Sequence, residues 1–540
     1  MTATLAPDIR RPAGRAPGET LIQVENLRIG FGDTEVVTGV DLELRRGEIL
    51  GIVGESGSGK SVTTRALVGL AGPGASVRAD RFDILGEPAA ERTERAWRAI
   101  RGDRIGLVLQ DALTALDPLR TIGDEVGEAA RIRDRGARQA RVEDLLRSVG
   151  IDDPEIKRRQ HAFALSGGQR QRALIASAIA RDPEVLIADE PTTALDVTVQ
   201  AKVLDLLVEQ VRAGRSLILV SHDLAVVSSI ADRVLVMNSG RVVESGPVRD
   251  VIDRPATRYT TELLAAVPRG TAPAAPPSET PVVYSAQGLA KRYRTPGGPV
   301  DALADVSFDV HAGEILGVVG ESGSGKSTIA RLVTGFTAAD SGTQRFDGRP
   351  HHRGNRVPGS IALVAQDSVA SFDPRYRVGE IIGEAVTVGR RGRAGRVTRD
   401  RELRRLLDAV HLPHASADRH PRELSGGQRQ RVNIARALAS GPRLVVCDEP
   451  VSALDISVQA QILDLLAELA AGSETAFLFI SHDLAVVRQL CHTLLVLHRG
   501  RVIDRGPTED VFAAPTSPHT RRLLAAIPAL EAPAPIGDSL

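Results

Sequence analysis

Two copies of one octapeptide, GESGSGKS, carry the residues of this chain best suited to bind phosphate. Glycines let backbone N–H groups turn inward around an anion, a lysine reaches the β- and γ-phosphates, and a serine hydroxyl can hold Mg²⁺. Each copy follows a short apolar run and precedes a helical pattern, so a strand, a loop and a helix N-terminus form one anion site. We therefore predict two nucleotide sites, whose phosphate-binding residues are Gly54, Glu55, Ser56, Gly57, Ser58, Gly59, Lys60 and Ser61 in the first copy, and Gly320, Glu321, Ser322, Gly323, Ser324, Gly325, Lys326 and Ser327 in the second.

An apolar run that ends in Asp-Glu also occurs twice, as VLIADE and LVVCDE. A buried parallel strand would deliver both carboxylates to its carboxyl end, where open α/β sheets bind ligands. Asp189 and Asp448 are then placed to hold Mg²⁺ through water, whereas Glu190 and Glu449 can polarise the water that attacks a γ-phosphate. The alternative, a strand that ends in a solvated acidic turn, is common for one such run but does not account for two at matching positions.

Histidine follows a later apolar strand in each half, within the repeated motif SHDLAVV. A single histidine is usually structural, but repetition at a strand end favours a hydrogen bond from His222 and His482 to the γ-phosphate or the attacking water. The pentapeptide LSGGQ is repeated too, and it places a serine and two glycines at a helix N-terminus, which again suits an anion.

The two halves align along their whole length. Gln110 falls opposite Gln366 and the first LSGGQ opposite the second, so the chain is a tandem duplication. Proline and small residues between the copies favour an extended spacer. We predict domains at 19–267 and 282–530, the spacer at 268–281, and disordered tails at 1–18 and 531–540.

Apolar runs such as VLIAD, LILVS, LVVCD and FLFIS alternate with helical patterns in both halves. This alternation predicts an α/β core with a largely parallel sheet and flanking helices. The helix that follows each glycine loop should comprise SVTTRALVGL in the first half and STIARLVTGF in the second. The segments RQARVEDLLRSVGI and RELRRLLDAVHL have helical periodicity and few strand signals, so we expect a helical subdomain inserted into each core.

The composition argues against several kinds of protein. The 540 residues include 68 basic and 68 acidic ones, a balance that disfavours a general polyanion-binding surface. Two cysteines, Cys447 and Cys491, cannot build a disulfide framework or a zinc module. No apolar run is long enough to span a membrane, and the N-terminus lacks the apolar core of a signal peptide. We expect a protein of a reducing compartment.

Together these motifs resemble the ATP-binding subunits of ABC transporters, and the match covers almost the entire chain twice. The resemblance implies an additional β subdomain in each half and an internal pseudo-dimer of the halves, in which Asp196 and Asp455 link the two ATP sites. It also implies that Phe31 and Tyr293 stack on adenine, although each is equally compatible with a strand core. The first site then comprises Lys60, Ser61, Gln110, Asp189, Glu190 and His222 with Ser425, Gly427 and Gln428 of the other half, and the second comprises Lys326, Ser327, Gln366, Asp448, Glu449 and His482 with Ser166, Gly168 and Gln169.

Finer residues are similar to those of the oligopeptide/dipeptide importer branch. LDVTVQAKVLDLL and LDISVQAQILDLL match it, as do PATRYTTELLAAVP and PTSPHTRRLLAAIP, although the first tail lacks the branch's His-Pro and the second its Tyr. The resemblance implies an ATPase that uses Mg²⁺, with two catalytic glutamines that also contact the metal. Its partners would be two membrane permease subunits and an extracytoplasmic substrate-binding protein, and it would lie on the cytoplasmic face of the membrane as a peripheral protein.

The resemblance leaves the transported solute undetermined, and it also predicts that some cofactors and partners are absent. No cysteine lies where some members ligate an iron–sulfur cluster, so no cluster is expected, and neither zinc nor nucleic acid is expected as a partner. The transported solute stays open among dipeptides, longer peptides, glutathione, nickel chelates and peptide-like siderophores.

Two other classes of ATPase share some of these features. ABC-F translation factors also fuse two such domains, but their linker is long, charged and helical, whereas this spacer is short and proline-rich. Only the arginine-rich run at 390–405 favours RNA, and a solvated helical face explains that run better. A DNA-repair ATPase of the same superfamily needs inserted zinc modules, which the cysteine count excludes.

Overall fold

The structure is a computed structural model and divides into two compact units. The first unit comprises the described residues within 18–195, 199–267 and 528–530, and the second those within 196–198 and 268–527. The described residues are 18–110, 112–193, 195–275, 279–295, 298–352, 354–355, 357–368, 370–389, 396–452, 454–528 and 530.

Some sequence predictions fall outside the described residues. These are the tails at 1–17 and 531–540, residues 276–278 of the spacer and residues 390–395 of the arginine-rich run. The rest of the spacer has no helix or strand, and within the second unit Ala272 N donates a hydrogen bond to Glu509 Oε1 at 2.8 Å. None of the helices in the described part of the chain is long and apolar enough to cross a membrane.

The first unit joins two sheets and a set of helices. Its strands are β1 (Thr20–Phe31), β2 (Thr34–Arg45), β3 (Ile49–Val53), β4 (Ala75–Arg78), β5 (Arg81–Ile84), β6 (Glu87–Pro88), β7 (Ile105–Val108), β8 (Val185–Asp189), β9 (Ser216–Ser221), β10 (Arg233–Asn238) and β11 (Arg241–Pro247). Its helices are α1 (Lys60–Ala66), α2 (Glu94–Ile100), α3 (Ala112–Ala115), α4 (Ile122–Ala130), α5 (Arg135–Ser148), α6 (Pro154–Lys157), α7 (Gly167–Ala178), α8 (Val197–Arg212), α9 (Leu224–Ile230), α10 (Val248–Asp253) and α11 (Arg258–Ala266), with a 3₁₀ turn at Ala162–Ala164.

The central sheet of this unit has the strand order β11-β10-β3-β9-β8-β7, parallel throughout except for the hairpin β10/β11. Strands β3, β8 and β9 are buried on both faces, which explains their unbroken apolar sequences. A second, antiparallel sheet has the order β2-β1-β5-β6, with β4 also paired to β1. Helices α3 to α6 lie between β7 and α7 in the chain and form the inserted helical part.

The second unit repeats this architecture. Its strands are β12 (Val282–Thr295), β13 (Gly298–His311), β14 (Ile315–Gly320), β15 (Ser341–Phe346), β16 (Arg349–Pro350), β17 (Ile361–Val364), β18 (Leu444–Asp448), β19 (Ala476–Ile480), β20 (Thr493–His498) and β21 (Arg501–Pro507). Its helices are α12 (Lys326–Val333), α13 (Val378–Gly389), α14 (Arg396–Ala409), α15 (Gly426–Leu438), α16 (Ile456–Ala471), α17 (Leu484–Leu490), α18 (Thr508–Ala513) and α19 (Pro518–Ala525), with 3₁₀ turns at His414–Asp418 and Pro421–Glu423.

The order β17-β18-β19-β14-β20-β21 matches the central sheet of the first unit strand for strand. A four-stranded sheet, β13-β12-β15-β16, accompanies it. The predicted fold class is therefore confirmed, including the β sheets and inserted helices. Helix α14, which holds the described end of the arginine-rich run, buries Leu406 and Leu407 and exposes Arg404 and Arg405, as a solvated amphipathic helix does.

A glycine in each strand that leads to a phosphate loop permits close packing of a helix. A Cβ on Gly51 in β3 would lie 2.1 Å from Val227 Cγ1, and one on Gly317 in β14 would lie 2.8 Å from Val487 Cγ1. Helices α9 and α17 thus approach the sheet more closely than any larger residue would allow. Gly51 and Gly317 thus help to set the positions of α9 and α17, the helices that follow His222 and His482.

The helices after the two loops are shorter than predicted. The apolar pattern extends to residues 70 and 336, but α1 ends at Ala66 and α12 at Val333. In each case a glycine stops the helix, because Gly69 and Gly335 adopt left-handed conformations with φ of 66° and 69°. Leu67 and Val68 are buried just after α1 ends, whereas Leu70 and Phe336, beyond the two glycines, are 42% and 62% exposed.

A carboxylate anchors the C-terminal helical segment of each unit; Asp504 is buried and Glu244 is partly exposed. Asp504 accepts hydrogen bonds from the backbone N–H groups of Thr516 and Ser517, both at 3.0 Å, and from the Thr516 hydroxyl. Glu244 in the first unit accepts equivalent bonds from Ala256 and Thr257. Burial acts to raise the pKa of each carboxyl, but the hydrogen bonds outweigh it, and both pKa values lie below their ordinary range.

We expect Asp504→Asn to lower the free energy of unfolding of the second unit by about 1–3 kcal/mol near neutral pH, because one buried donor loses its charged acceptor. A depressed folded-state pKa contributes stability above the unfolded pKa, near 4, and this contribution disappears as pH falls through the folded value. The difference between wild type and variant in urea unfolding should therefore shrink in acid. Glu244→Gln is the matched control and should shift the first unit instead; a deficit for Asp504→Asn that does not change with pH would contradict this account.

Candidate nucleotide sites

The phosphate loop of the first unit connects β3 to α1 and is held by its own lysine. Lys60 Nζ donates hydrogen bonds to the carbonyl oxygens of Gly54 and Glu55 at 2.7 and 2.8 Å. Lys60 is only 4% exposed, so its charge is available to an anion in the loop rather than to bulk water. Gly54 must be glycine, since a Cβ there would lie 2.1 Å from the carbonyl oxygen of Met237 and the residue has a φ of 153°.

The acidic end of β8 faces this loop. Ser61 Oγ donates a hydrogen bond to Asp189 Oδ1 at 2.8 Å, and Arg65 Nη2 lies 3.5 Å from Asp189 Oδ2. Asp189 is fully buried. The predicted Mg²⁺ ligands of the first site, one hydroxyl and one carboxylate, therefore lie side by side.

Glu190 is the centre of a second group of contacts. Its Oε2 accepts hydrogen bonds from Gln110 Nε2 at 2.8 Å and from Thr193 Oγ1 at 3.0 Å, and it lies 3.5 Å from Nδ1 of His222. Gln110 follows β7 and His222 follows β9, the strands on either side of β8. The parallel sheet thus brings three predicted residues together at its carboxyl edge, although they are distant in sequence.

The second unit assembles the same group. Lys326 Nζ donates to the carbonyl oxygens of Gly320 and Glu321 at 2.6 and 3.0 Å. Glu449 Oε2 accepts from Gln366 Nε2 at 2.9 Å and lies 3.4 Å from His482 Nδ1.

Both glutamates sit in an unusual backbone conformation. Glu190 and Glu449 each have a φ of 48°, in the left-handed region that non-glycine residues adopt rarely. Their N–H groups are bonded to the carbonyl oxygens of Val220 and Ile480 in the neighbouring strand, at 2.9 and 3.0 Å. Such strain persists where the surrounding structure enforces it, and it clusters at functional sites.

The electrostatics of the glutamates suit a role as hydrogen-bond acceptor for water. Burial acts to raise the pKa of Glu190 and of Glu449, but the adjacent histidine outweighs it, and both pKa values lie below the ordinary range. Burial conversely acts to lower the pKa of His482, and the bond to Glu449 raises it above its usual value. Both glutamates are therefore ionised at neutral pH.

The buried aspartates fit a divalent cation. Burial raises the pKa of Asp189 and of Asp448. Asp189 Oδ2 and Asp448 Oδ1 are buried, and neither has a hydrogen-bond partner in the described part of the chain. Asp189 Oδ2 has an ion pair with Arg65 at 3.5 Å in place of a hydrogen bond, and Mg²⁺ with its bound waters would complete the environment of both carboxylates.

The two LSGGQ motifs begin helices that are separate from the loops of their own units. Ser166 caps α7 and Ser425 caps α15, and each forms a capping box with Gln169 or Gln428. A Cβ on Gly168 would lie 2.2 Å from Val199 Cγ1, and one on Gly427 would lie 2.4 Å from Val458 Cγ1. The second glycine of each motif therefore has a packing role within its own unit.

The predicted adenine-stacking aromatics lie at the ends of long antiparallel strands. Phe31 is the last residue of β1 and packs, half buried, against the apolar core of the first unit. Tyr293 is near the end of β12, and Lys291 Nζ lies 5.7 Å from the centre of its ring. Both positions are compatible with stacking and with strand packing, so the adenine contact stays a prediction.

Sequence reasoning missed three residues beside the first site. Arg65 and Thr193 contact the two acidic residues as described, and the Tyr259 hydroxyl accepts a hydrogen bond from Glu55 N at 3.1 Å. Tyr259 belongs to the tail motif that indicates the importer branch, but nothing in its spacing indicates contact with a loop 204 residues away. Only the tertiary fold shows this link.

Comparison with protein families identifies the chain. The family model described as ABC transporter matches residues 37–193 and again 303–452. The chain belongs to the ABC transporter family. It carries two ABC domains and is an ABC-type ATPase, as predicted. A second model, described as oligopeptide/dipeptide transporter, C-terminal region, matches residues 243–291 of this ABC protein and confirms the predicted branch.

Curated relatives of this ABC protein share its tandem length. The peptidoglycan transport ATP-binding protein YejF of Agrobacterium fabrum is 42% identical over 95% of this chain and 97% of its own. The glutathione import ATP-binding protein GsiA of Salmonella choleraesuis is 38% identical over 94% of this chain and 89% of its own. ATP-binding components of import systems are thus the relatives of this chain.

A solved structure supports the fold. The archaeal ribosome recycling factor aABCE1, solved with the ribosomal stalk protein aP1, aligns with a TM-score of 0.60 over 86% of each chain. At 19% sequence identity this likeness concerns the architecture of two ABC domains alone.

Proposed function

We propose that this chain is the ATP-hydrolysing subunit of an importer for peptides or peptide-like solutes, with two complete catalytic sets in one polypeptide. The observation that carries the proposal is the match to the oligopeptide/dipeptide C-terminal region in a chain whose two units hold the same Lys, Glu, Gln and His arrangement. The names of its relatives, which refer to peptidoglycan and glutathione, support a solute with amide-linked amino acids.

In the proposed chemistry, the loop lysines Lys60 and Lys326 and the surrounding backbone N–H groups hold the phosphates of ATP. Mg²⁺, held by the serine and the buried aspartate of each site, would neutralise charge on the β- and γ-phosphates. The glutamate carboxylate accepts a hydrogen bond from water, which attacks the γ-phosphorus as the bond to the β-phosphate oxygen breaks. This yields ADP and inorganic phosphate.

The glutamine and the histidine of each site have positioning roles in this proposal. Gln110 and Gln366 donate to the catalytic carboxylate, and they would also help to hold Mg²⁺. His222 and His482, next to the same carboxylate, can donate to the γ-phosphate. Held in this way, the glutamate has one orientation before ATP arrives, which lowers the entropic cost of reaction.

The proposed active arrangement is head to tail. Each LSGGQ helix N-terminus would complete the ATP site of the other unit, so Ser425, Gly427 and Gln428 act with the Lys60 site, and Ser166, Gly168 and Gln169 with the Lys326 site. Asp196 and Asp455 would connect the sites. The exposure of Ser166 and Ser425 at their helix starts supports this role, since both are available to a phosphate.

The proposed partners are two permease subunits and a substrate-binding protein, which place the chain peripherally on the cytoplasmic face of the membrane. Two large apolar side chains in the inserted helical part of the first unit support a docking role there: Leu119 is 86% exposed and Phe163 is 68% exposed. ATP binding in both sites would close the units on each other and hydrolysis would release them, which couples nucleotide state to transport.

Reconstitution tests this function. The chain should co-purify with the permeases encoded beside its gene, and ATP hydrolysis in proteoliposomes should rise when the binding protein is supplied with its peptide. The loop variants Lys60→Ala and Lys326→Ala, combined, are the matched control and should assemble without stimulation. Salt-sensitive sedimentation with ribosomes, in place of association with permeases, would overturn the proposal in favour of a translation factor.

A further inference from the structure

Three potential metal ligands converge in the second unit beside the phosphate loop. One ligand atom from each of Glu321, His498 and His519 lies within 4.8 Å of the others. The two imidazole rings are 3.9 Å apart between centres, and His519 Nε2 lies 3.9 Å from Glu321 Oε2. Nothing in the catalytic arrangement uses the two histidines.

Three different elements bring these side chains together. Glu321 is the second residue of the phosphate loop and directly follows β14. His498 is the last residue of β20, which runs parallel to β14 and pairs Leu497 with Gly320. His519 lies in the first turn of α19, where its N–H donates to Ser517 Oγ at 3.1 Å. Asp504 anchors the segment before that helix, so the backbone positions of all three ligands are fixed.

The histidines have unsatisfied nitrogen atoms. His519 is only 8% exposed, and its Nε2 is buried without a hydrogen-bond partner in the described residues; Nδ1 of His498 is in the same condition. Buried polar atoms are normally satisfied, so two unpaired imidazole nitrogens beside a carboxylate call for a missing partner.

The first unit provides a natural comparison at the same places. Its loop glutamate is Glu55, β10 ends in Asn238, and the first turn of α11 carries Tyr259. There the Tyr259 hydroxyl is bonded to Glu55 N, so the loop is tied to the tail helix by a direct hydrogen bond. Relative to the first unit, the second has a histidine in place of both the asparagine and the tyrosine.

We propose that Glu321, His498 and His519 bind one divalent transition-metal ion, with Zn²⁺ as the best match, and that solvent completes the coordination. Two imidazoles and one carboxylate are a common Zn²⁺ ligand set, and three protein ligands leave one position open. Ligands of a tetrahedral Zn²⁺ lie about 3.4 Å apart when the bonds are about 2.1 Å long, so ligand atoms that now lie within 4.8 Å of one another must move closer, and the two rings, 3.9 Å apart between centres, must turn away from each other.

Binding also requires a change at Arg522. His519 Nδ1 lies 3.4 Å from Arg522 Nη2, and coordination through Nε2 places the ring proton on Nδ1, so this long contact must open. Arg522 is on the same helix and can turn towards solvent. The metal would then replace, in the second unit, the link between phosphate loop and tail helix that Tyr259 makes in the first.

This site revises one expectation from the sequence. Zinc was not expected because the chain has two cysteines, but a site built from histidine and glutamate does not depend on cysteine. His519 lies in the tail motif PTSPHTRRLLAAIP, but that motif does not include His498, which precedes His519 with 20 residues between them, so the convergence of the two histidines follows from the fold.

Metal titration of the full chain tests the site. Any affinity tag is removed, and the protein is stripped of metal and nucleotide. It should then take up one equivalent of Zn²⁺ in competition with a chromophoric chelator. The thermal midpoint of unfolding should rise when Zn²⁺ binds. His498→Asn with His519→Tyr copies the first unit and should weaken uptake at least about tenfold. Co²⁺ should give the visible absorption of a four-coordinate ion in wild type and not in this variant.

A reciprocal variant in the first unit shows whether loss of uptake in the His498→Asn, His519→Tyr variant could come from misfolding. Asn238→His with Tyr259→His should add a second equivalent of Zn²⁺ to the chain, and His498→Asn alone should reduce uptake while leaving the metal-free thermal midpoint near that of wild type. Wild-type protein that takes up no stoichiometric Zn²⁺, or a His498→Asn, His519→Tyr variant that retains the full equivalent, would overturn the proposal. Because the readout is metal uptake, these outcomes are independent of transport and of ATP hydrolysis.

Discussion

The double variant Glu190→Gln, Glu449→Gln should bind ATP as wild type does and should hydrolyse it at least about 100-fold more slowly, the lower end of what a positioned acid–base group contributes. Each carboxylate is ionised and is the acceptor around which Gln110 or Gln366 and the neighbouring histidine are arranged. The neutral amide keeps the size of the side chain but loses the charge that polarises water. Phosphate release and equilibrium binding of ATP, measured on one preparation, separate the two effects.

The single variants are the matched controls for this experiment. Because the two units hold the same set of contacts, Glu190→Gln and Glu449→Gln should each reduce turnover, and neither should change the affinity for ATP. A closed, ATP-bound form should accumulate in the double variant, since hydrolysis no longer reopens the units. Sustained turnover in the double variant would show that another group activates the water.

Replacing Ser425 with arginine should abolish nucleotide occlusion at the site that contains Lys60 and leave the Lys326 site largely intact. Under the proposed head-to-tail arrangement, the Ser425 hydroxyl and the start of α15 face the γ-phosphate held by the first loop. Ser425 is exposed, so arginine can replace it without disturbing the core of its own unit. A photoreactive ATP analogue, occluded in the Glu190→Gln, Glu449→Gln background and located by peptide mapping, identifies the affected loop.

Ser166→Arg is the mirror control for this assignment. Its serine caps α7 with the same capping box that Ser425 forms on α15, so loss of the cap costs each unit a similar amount of stability. Ser166→Arg should remove labelling of the Lys326 site instead. If Ser425→Arg removes labelling from the Lys326 loop, each unit uses its own signature motif and the head-to-tail proposal is wrong.

The residues of the candidate catalytic sets could be proposed from the sequence because each belongs to a local pattern, and their catalytic roles stay a prediction. A buried parallel strand that ends in Asp-Glu presents its carboxylates at the carboxyl edge of the sheet. A glycine loop between a strand and a helix N-terminus is suited to bind an anion. Strand order is not local, however, and it decides which ends become neighbours. Gln110, Glu190 and His222 come together because β7, β8 and β9 are adjacent, an order that no single segment encodes.

The features that sequence reasoning missed depend on contacts between distant elements. The bond from Glu55 to Tyr259 and the convergence of Glu321, His498 and His519 join a phosphate loop to a helix about 200 residues later. Helix ends were misjudged for a different reason, since the apolar pattern continues past Gly69 and Gly335 while the backbone turns left-handed. Periodicity reports which residues are buried, and it does not report the conformation of a single glycine.

The left-handed backbone of Glu190 and Glu449 has a consequence for the evolution of this chain. A non-glycine residue in that region costs about 1–2 kcal/mol, which each unit must offset through its own folding, with or without ATP. Glycine would remove the cost at either position and the carboxylate with it. Selection for stability and selection for hydrolysis therefore act in opposite directions on the same two residues, and a duplicated gene would let one unit give up its chemistry while the other kept it. The presence of a glutamate in both units is what we expect if the proposed transport cycle requires two working ATPases.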